Sequence, residues 1–246
     1  MKKVLLASSL LAVSGLAQAD VLGMTMGINA WQQSFEGSAA SGTLGSAIDL
    51  EDDLNYDGDT GSNIYVSFEH PIPLIPNLRL EYTELKVEEN NTLIRDIDFD
   101  GGNYAVATPF ESATDLSHTD VTAYYEILDN WISLDIGVTA RFFQQGVELS
   151  NLRQAGTIEI DYTLPMLYAA TKFELPLSGL YAGARANASN YDDRDVLDYS
   201  VNLGYETGIG LGLEVGYRSL SIEESSRTKE YDIEVDGAYA GVFFHF

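Results

Sequence analysis

Ala238-Tyr239-Ala240-Gly241-Val242-Phe243-Phe244-His245-Phe246 closes the chain, and its reading decides the fold. Ala238, Ala240, Val242, Phe244 and Phe246 place an apolar residue at every second position. Tyr239, Gly241 and His245 lie between them, and Phe243 is the one apolar interruption. A period of two belongs to a β-strand, whose successive side chains point to opposite faces. In a soluble sheet, a terminal strand with bare aromatics is an edge that invites aggregation. In a closed membrane barrel the last strand pairs with the first, and no edge remains. The pattern predicts a lipid-facing row of Ala240, Val242, Phe244 and Phe246, with Gly241 and His245 turned toward a lumen.

The other end of the chain points to the same compartment. Met1-Lys2-Lys3 is a short basic region, an apolar run follows from Val4 to Leu16, and Ala17-Gln18-Ala19 has the small-x-small form of a cleavage site. This predicts a cleaved secretory signal over residues 1–19 and a barrel over residues 20–246. No later stretch supplies the roughly 20 apolar residues of a spanning helix. Cysteine is absent, so the stability of an exported chain owes nothing to disulfides. A hydrophobic fraction of 45% excludes a disordered chain. The 15 Tyr and 22 Gly suit strands with aromatic belts and close backbone approaches. Loss of Lys2 and Lys3 would take the formal net charge from −25 to −27. With no Lys/Arg cluster, nucleic acid is excluded as a partner, and divalent cations or cationic surfaces are favoured.

Nine more segments alternate in the same way: Leu22–Ala30, Asn63–Glu69, Leu78–Thr83, Asp120–Ile127, Ile132–Phe142, Leu167–Glu174, Leu180–Ser189, Asp198–Glu206 and Leu211–Arg218. With the strand from about Tyr231 they predict an all-β, transmembrane, antiparallel up-and-down β-barrel of about 10 strands. An amphipathic helix is the rival for each segment, but period-2 alternation would spread apolar residues all round it. Connections alternate in length. Pro71–Asn77, Asp129–Asn130, Pro176–Ser178 and Thr207–Gly210 are short, whereas Glu36–Gly61, Glu89–Ser117, Val147–Gly156 and Glu223–Thr228 are long, with Tyr191–Asp195 the shortest of the long set. Short periplasmic turns and longer outer loops are a mark of outer-membrane barrels. An even strand number puts both termini in the periplasm. The long connections have room to be partly disordered or to contain a short helix around Glu148–Gln154.

A soluble sandwich or lipocalin-like barrel would alternate too. The polar strand face separates the two, because here it mixes small residues with nearly balanced charge. Arg79, Arg141, Lys172, Arg185 and Arg218 face Glu81, Glu126, Asp135, Glu206 and Glu214. That composition predicts a narrow lumen filled by a network of paired charges. Known porins use about 16–18 strands to hold water, so a small porin or channel is the weaker reading.

The signal peptide, the ten segments, the acidic loops, Asp100-Gly101-Gly102 and the Phe246 ending together resemble a family of small outer-membrane β-barrels. That family belongs to Gram-negative gammaproteobacteria, and its function is largely uncharacterised. The ending Ala240-x-Val242-x-Phe244-x-Phe246 resembles the signal by which such barrels are recognised for insertion. The resemblance implies location in the bacterial outer membrane, contact with its lipid and lipopolysaccharide, and engagement of the barrel-assembly machinery during insertion. It carries no catalytic or cofactor-binding residue.

The acid is concentrated in the long connections. Glu36–Thr60 holds Glu36, Asp49, Glu51, Asp52, Asp53, Asp57 and Asp59 with no Lys or Arg. Asp96-x-Asp98-x-Asp100-Gly101 resembles the start of a calcium loop, but the bidentate Glu expected at its twelfth position would fall at Ala107. No cofactor is therefore expected beyond weak divalent-cation binding by the outer loops. Of the histidines, only His118 falls at the outer end, and Asp120 shares its inward face. Such a pair could orient a general base for an outer-rim hydrolase, an omptin-like protease or a lipid A-modifying enzyme. Polar pairs are ordinary at a barrel rim, and no nucleophile stands at a defined spacing. The expectation is an outer-membrane barrel that is not an enzyme, with a structural, surface-interaction or narrow transport role, and a monomer.

Overall fold

The computed structural model describes residues 22–41, 47–56, 58–225 and 229–246. The expected signal peptide and Asp57 lie outside them. The strands, in chain order, are β1 (Gly23–Ser41), β2 (Ile48–Asp49), β3 (Asp59–Glu69), β4 (Asn77–Thr83) and β5 (Lys86–Thr92). They continue with β6 (Ile97–Phe99), β7 (Gly102–Tyr104), β8 (Pro109–Asp115), β9 (His118–Leu128) and β10 (Ile132–Ser150). The last five are β11 (Ala155–Glu174), β12 (Leu180–Tyr191), β13 (Arg194–Glu206), β14 (Leu211–Ser225) and β15 (Lys229–His245).

Ten of these close into an antiparallel barrel, β1-β3-β4-β9-β10-β11-β12-β13-β14-β15, sealed by β15 against β1. The seam pairs Met26 with Phe244, Ile28 with Val242 and Ala30 with Ala240. Met24 N donates to the carbonyl oxygen of Phe246 at 2.8 Å. Met26, Ile28, Val242, Phe244 and Phe246 are exposed on the outer wall, as are Ile136, Val138, Val201, Leu203, Leu213 and Val215. That wall is the lipid-facing band the alternation predicts. Phe243 faces inward and lies edge-on to Tyr181 at 6.2 Å. Both described chain ends share one rim with the short turns, here termed the turn end.

The opposite rim, the loop end, differs from expectation. Most of what reads as long loop is strand: β10 and β11 pair without a break from Ile132↔Phe173 to Ser150↔Ala155. No helix forms at Glu148–Gln154, because β10 continues to Ser150. A tight turn follows, in which Asn151 Oδ1 accepts from Arg153 N at 2.8 Å and Gln154 N at 3.1 Å. The 20 residues of β11 extend about 66 Å at about 3.3 Å per residue. An apolar band is about 25 Å tall and its strands tilt by about 45°, so roughly half of this strand stands outside the bilayer.

In that protruding half the chemistry of the two strand faces is exchanged. Below the boundary β15 turns Ala238, Ala240, Val242 and Phe244 outward. Above it, the same outward face carries Glu230, Asp232, Glu234 and Asp236, and the inward face buries Tyr231, Ile233 and Val235. Strands β1, β10, β11 and β14 do likewise, burying Phe35, Val147, Leu149, Ile158, Ile160, Leu220 and Ile222. Lipid demands an apolar outside; water demands an apolar inside. Gly237 sits at the exchange in β15 with φ +152°, where an added Cβ would lie 1.8 Å from the Gln32 carbonyl oxygen.

The head formed in this way is filled from within. Ile48, Leu50, Leu54 and Tyr56 of the β1–β3 connection, and Leu93, Ile97, Phe99 and Tyr104 of the β5–β8 connection, are all buried in its core. Arg95 clasps Asp53, with Nε 2.8 Å from Oδ1, and this hydrogen bond raises the Arg95 pKa. Burial pushes the Tyr56 hydroxyl above its ordinary value, against the lowering effect of its 3.1 Å contact with Thr114 Oγ1.

Candidate functional site

Where the polar lumen meets the apolar head, the barrel is crossed by a layer of buried charge. Arg141 on β10, 0% exposed, donates from Nε and Nη2 to the two oxygens of Asp120 at 2.8 and 2.7 Å. Its Nη2 also reaches Asp198 Oδ2 on β13 at 2.5 Å. Arg218 on β14 holds Asp198 from Nε at 2.9 Å and Nη2 at 2.6 Å. Its Nη1 lies 3.8 Å from Glu81 on β4. Glu81 also takes Arg185, from across the barrel on β12, at 2.7 Å, and Arg79 at 2.8 Å. Asn63 Nδ2 donates to Glu81 Oε1 at 2.8 Å. A second strap runs from Thr122 through Thr139 to Asn187, each step 2.8 Å. Trp31, its ring centroid 4.9 Å from the Arg218 guanidinium carbon, begins the apolar head.

Below this layer the lumen opens toward the turn end as a vestibule of about 500 Å³. Arg79, Glu126, Asp135, Lys172, Arg185, Glu206 and Glu214 line it. The ten residues expected to form one charge network therefore fall into two groups. Glu81, Arg141 and Arg218 sit in the crossing layer, joined by Arg79 and Arg185 from the vestibule roof. Lys172 pairs with Glu174 at 2.7 Å and Glu206 at 3.8 Å. Glu126 and Asp135 are cross-strand neighbours on β9 and β10, and among the described residues neither has a cationic partner. Glu214 accepts from Asn202 at 2.9 Å and from Tyr181 at 3.3 Å. Complementary pairing belongs to the layer and not to the whole lumen. Asp198, which joins Arg141 to Arg218, is the member that sequence reasoning missed. Its inward parity on β13 was legible, but its partners on other strands were not.

His118 and Asp120 both point inward, yet they do not form a dyad. Both Asp120 oxygens are taken by Arg141. His118, 2% exposed, places Nδ1 2.8 Å from the Leu116 carbonyl oxygen. A carbonyl only accepts, so Nδ1 carries the proton and Nε2 is left as a buried acceptor without a partner among the described residues. One ligand atom from each of His118, Asp120 and Asp198 falls within 4.8 Å of the others. Guanidinium groups already occupy those carboxylate oxygens, so the donor set is that of an ion-pair cluster rather than a metal centre. His70 and His245 lie at the turn end.

Asp96, Asp98 and Asp100 fall on or beside the β6–β7 hairpin, on its exposed face. Their carboxylates serve separate donors: Val106 N at 2.7 Å, Asn103 Nδ2 at 2.8 Å and Thr157 N at 3.2 Å. Asp100 and Gly101, with φ of 49° and 74°, form the two-residue turn between Phe99 and Gly102. Asp-Gly is the residue pair favoured for such a left-handed hairpin turn. The spacing that resembles a calcium loop is, in place, the alternation of a strand ending in that turn.

A closed ten-stranded barrel with a lipid-facing apolar wall and a polar lumen defines an outer-membrane β-barrel protein of the Gram-negative type. A solved structure agrees. The outer membrane protease OmpT of Escherichia coli aligns over 91% of this chain and 97% of its own, with a TM-score of 0.55 and 11% identity. The translocator domain of the autotransporter NalP from Neisseria meningitidis aligns over 98% and 95%, with a TM-score of 0.46 and 13% identity. The attachment invasion locus protein Ail of Yersinia pestis, solved with the heparin analogue sucrose octasulfate, aligns over 92% and 99%, with a TM-score of 0.40 and 12% identity. At 11% identity the likeness to OmpT is one of fold alone. No protein-family model matches the chain, and no curated protein matches it in sequence.

Proposed function

We propose that this protein is a non-conducting, non-catalytic barrel that holds a compact acidic head on the outer face of the cell and acts by surface contact. One observation carries the reading. The lumen is crossed by the Arg141–Asp198–Arg218–Glu81 layer, and the apolar core above it is packed. A solute entering the vestibule would have to break buried ion pairs and then displace buried side chains, a path unsuited to diffusion. The loop end is assigned to the exterior and both termini to the periplasm, because an acidic, water-adapted head of this size fits outside the bilayer. Membership of the small gammaproteobacterial barrels belongs to the same reading, supported by the acidic outer surface and the aromatic ending.

A hydrolase using His118 is less well supported, since His118 is enclosed and Asp120 is committed to Arg141. The purified chain, refolded and reconstituted in a planar bilayer, should produce no stable conductance steps. Steps of porin size would refute the closed-barrel reading.

A further inference from the structure

The wall of the head has a break in its ladder between β3 and β5. From Phe68↔Leu78 to Asn63↔Thr83, β3 and β4 pair in register, and Glu84 N continues the ladder by donating to the Ser62 carbonyl at 2.8 Å. Thr60 and Lys86 would be the next bonded pair, but the strands part there, and Thr60 N turns to Asp59 Oδ1 at 2.6 Å. A cleft of about 280 Å³ opens between them, lined by Asp59, Thr60, Gly61, Glu84, Lys86 and Glu88.

One side of the cleft is a free strand edge. Leu116 N donates to the Leu85 carbonyl at 2.8 Å, and Ala107 N and Leu93 N frame the same ladder through Leu93 O at 2.9 Å and Thr108 O at 3.2 Å. Alternation between those points directs the odd-numbered backbone groups of β5 to β8. The N–H and C=O groups of Lys86 and Glu88 therefore face the cleft, those of Asn90 point the same way beyond it, and among the described residues they have no partner. At its foot lies Gln33, 1% exposed. Its Nε2 donates to the Glu84 carbonyl at 2.8 Å, while its Oε1 has no partner among the described residues. That carboxamide packs directly against Gly61, where an added Cβ would come within 2.1 Å of Nε2.

We propose that this cleft takes an extended, lysine- or arginine-bearing peptide segment of another protein, added as a strand along Lys86–Asn90. The inference rests on the surface-contact reading above. Strand addition supplies affinity through backbone hydrogen bonds and specificity through side-chain chemistry. Asp59, Glu84 and Glu88 outnumber Lys86, so the chemistry selects a cation. A second copy of this chain is a poor occupant. Copies inserted in one membrane share the direction of β5 relative to the bilayer normal, so their edges cannot meet antiparallel. The charged edge also guards against promiscuous pairing, which a matched peptide would overcome.

The test uses the full chain refolded in micelles and a fluorescent eight-residue peptide alternating Lys and Thr. The Lys/Thr peptide should bind, and a Glu/Thr peptide should not. Glu84→Gln combined with Glu88→Gln should weaken binding several-fold. Lys86→Pro should weaken it at least tenfold although it removes a repelling charge, whereas Lys86→Gln should bind as well or better. Should the proline variant not fold, the same peptide N-methylated on alternate residues should lose at least tenfold with the unaltered chain. Equal binding by the N-methylated and plain peptides, or by Lys86→Pro and Lys86→Gln, would overturn strand addition. No binding of the Lys/Thr peptide would do so too. None of these readouts depends on conductance, which tests the closed barrel separately.

Discussion

Arg141→Met is expected to destabilise the barrel by about 3–5 kcal/mol, the usual cost of removing one partner from a buried ion pair. Asp120 would keep no cation, and Asp198 would retain only Arg218. The loss arises from carboxylates left buried, so Asp120→Asn in the same chain should recover part of it. A double-mutant cycle with these two substitutions, measured by urea unfolding in lipid vesicles, should give a coupling of about 1–3 kcal/mol. Independent effects that simply add would mean that the charge layer does not act as a unit.

Ile233→Ala should cost about 2–5 kcal/mol, the range for truncating a large core side chain. Ile233 is fully buried in the head. Its neighbours Asp232 and Glu234 share an outward face with Glu230 and Asp236, and Asp232→Asn or Glu234→Gln should change stability by no more than about 0.5 kcal/mol. The contrast between adjacent residues is the sign of a packed head. If this stretch were a solvated loop, all three substitutions would be nearly silent in the same unfolding assay.

The membrane half was legible because lipid imposes one rule on every strand. Ile132–Phe142 and Leu211–Tyr217 could be assigned a face each from alternation alone, and the β1–β15 seam followed from closure. Most of the head was not read as strand, although its alternation is equally strict. In Thr157-Ile158-Glu159-Ile160-Asp161-Tyr162 of β11 the parity is unchanged, and only the chemistry of each face is exchanged. A rule looking for apolar residues on the outward face meets acid there and takes the stretch for loop. Asp100-Gly101 between Ile97-x-Phe99 and Tyr104 was likewise open to reading as a hairpin turn, but the carboxylate spacing drew attention to a cation instead. Partners within the charge layer are of another kind. Arg185 meets Glu81 because the barrel places β12 opposite β4, and no local pattern encodes that distance in sequence.

The absence of cysteine from the chain makes single-cysteine labelling the most direct test of the central claim, a closed and packed head displayed outside the cell. Asp232→Cys, Ile233→Cys and Asn130→Cys would each be treated on intact cells with a membrane-impermeant maleimide. Asp232→Cys should label, Ile233→Cys should label only after unfolding, and Asn130→Cys, at the turn end, should label only after the outer membrane is breached. Ready labelling of Ile233→Cys on intact cells would contradict the packed head, and labelling of Asn130→Cys there would contradict its placement outside.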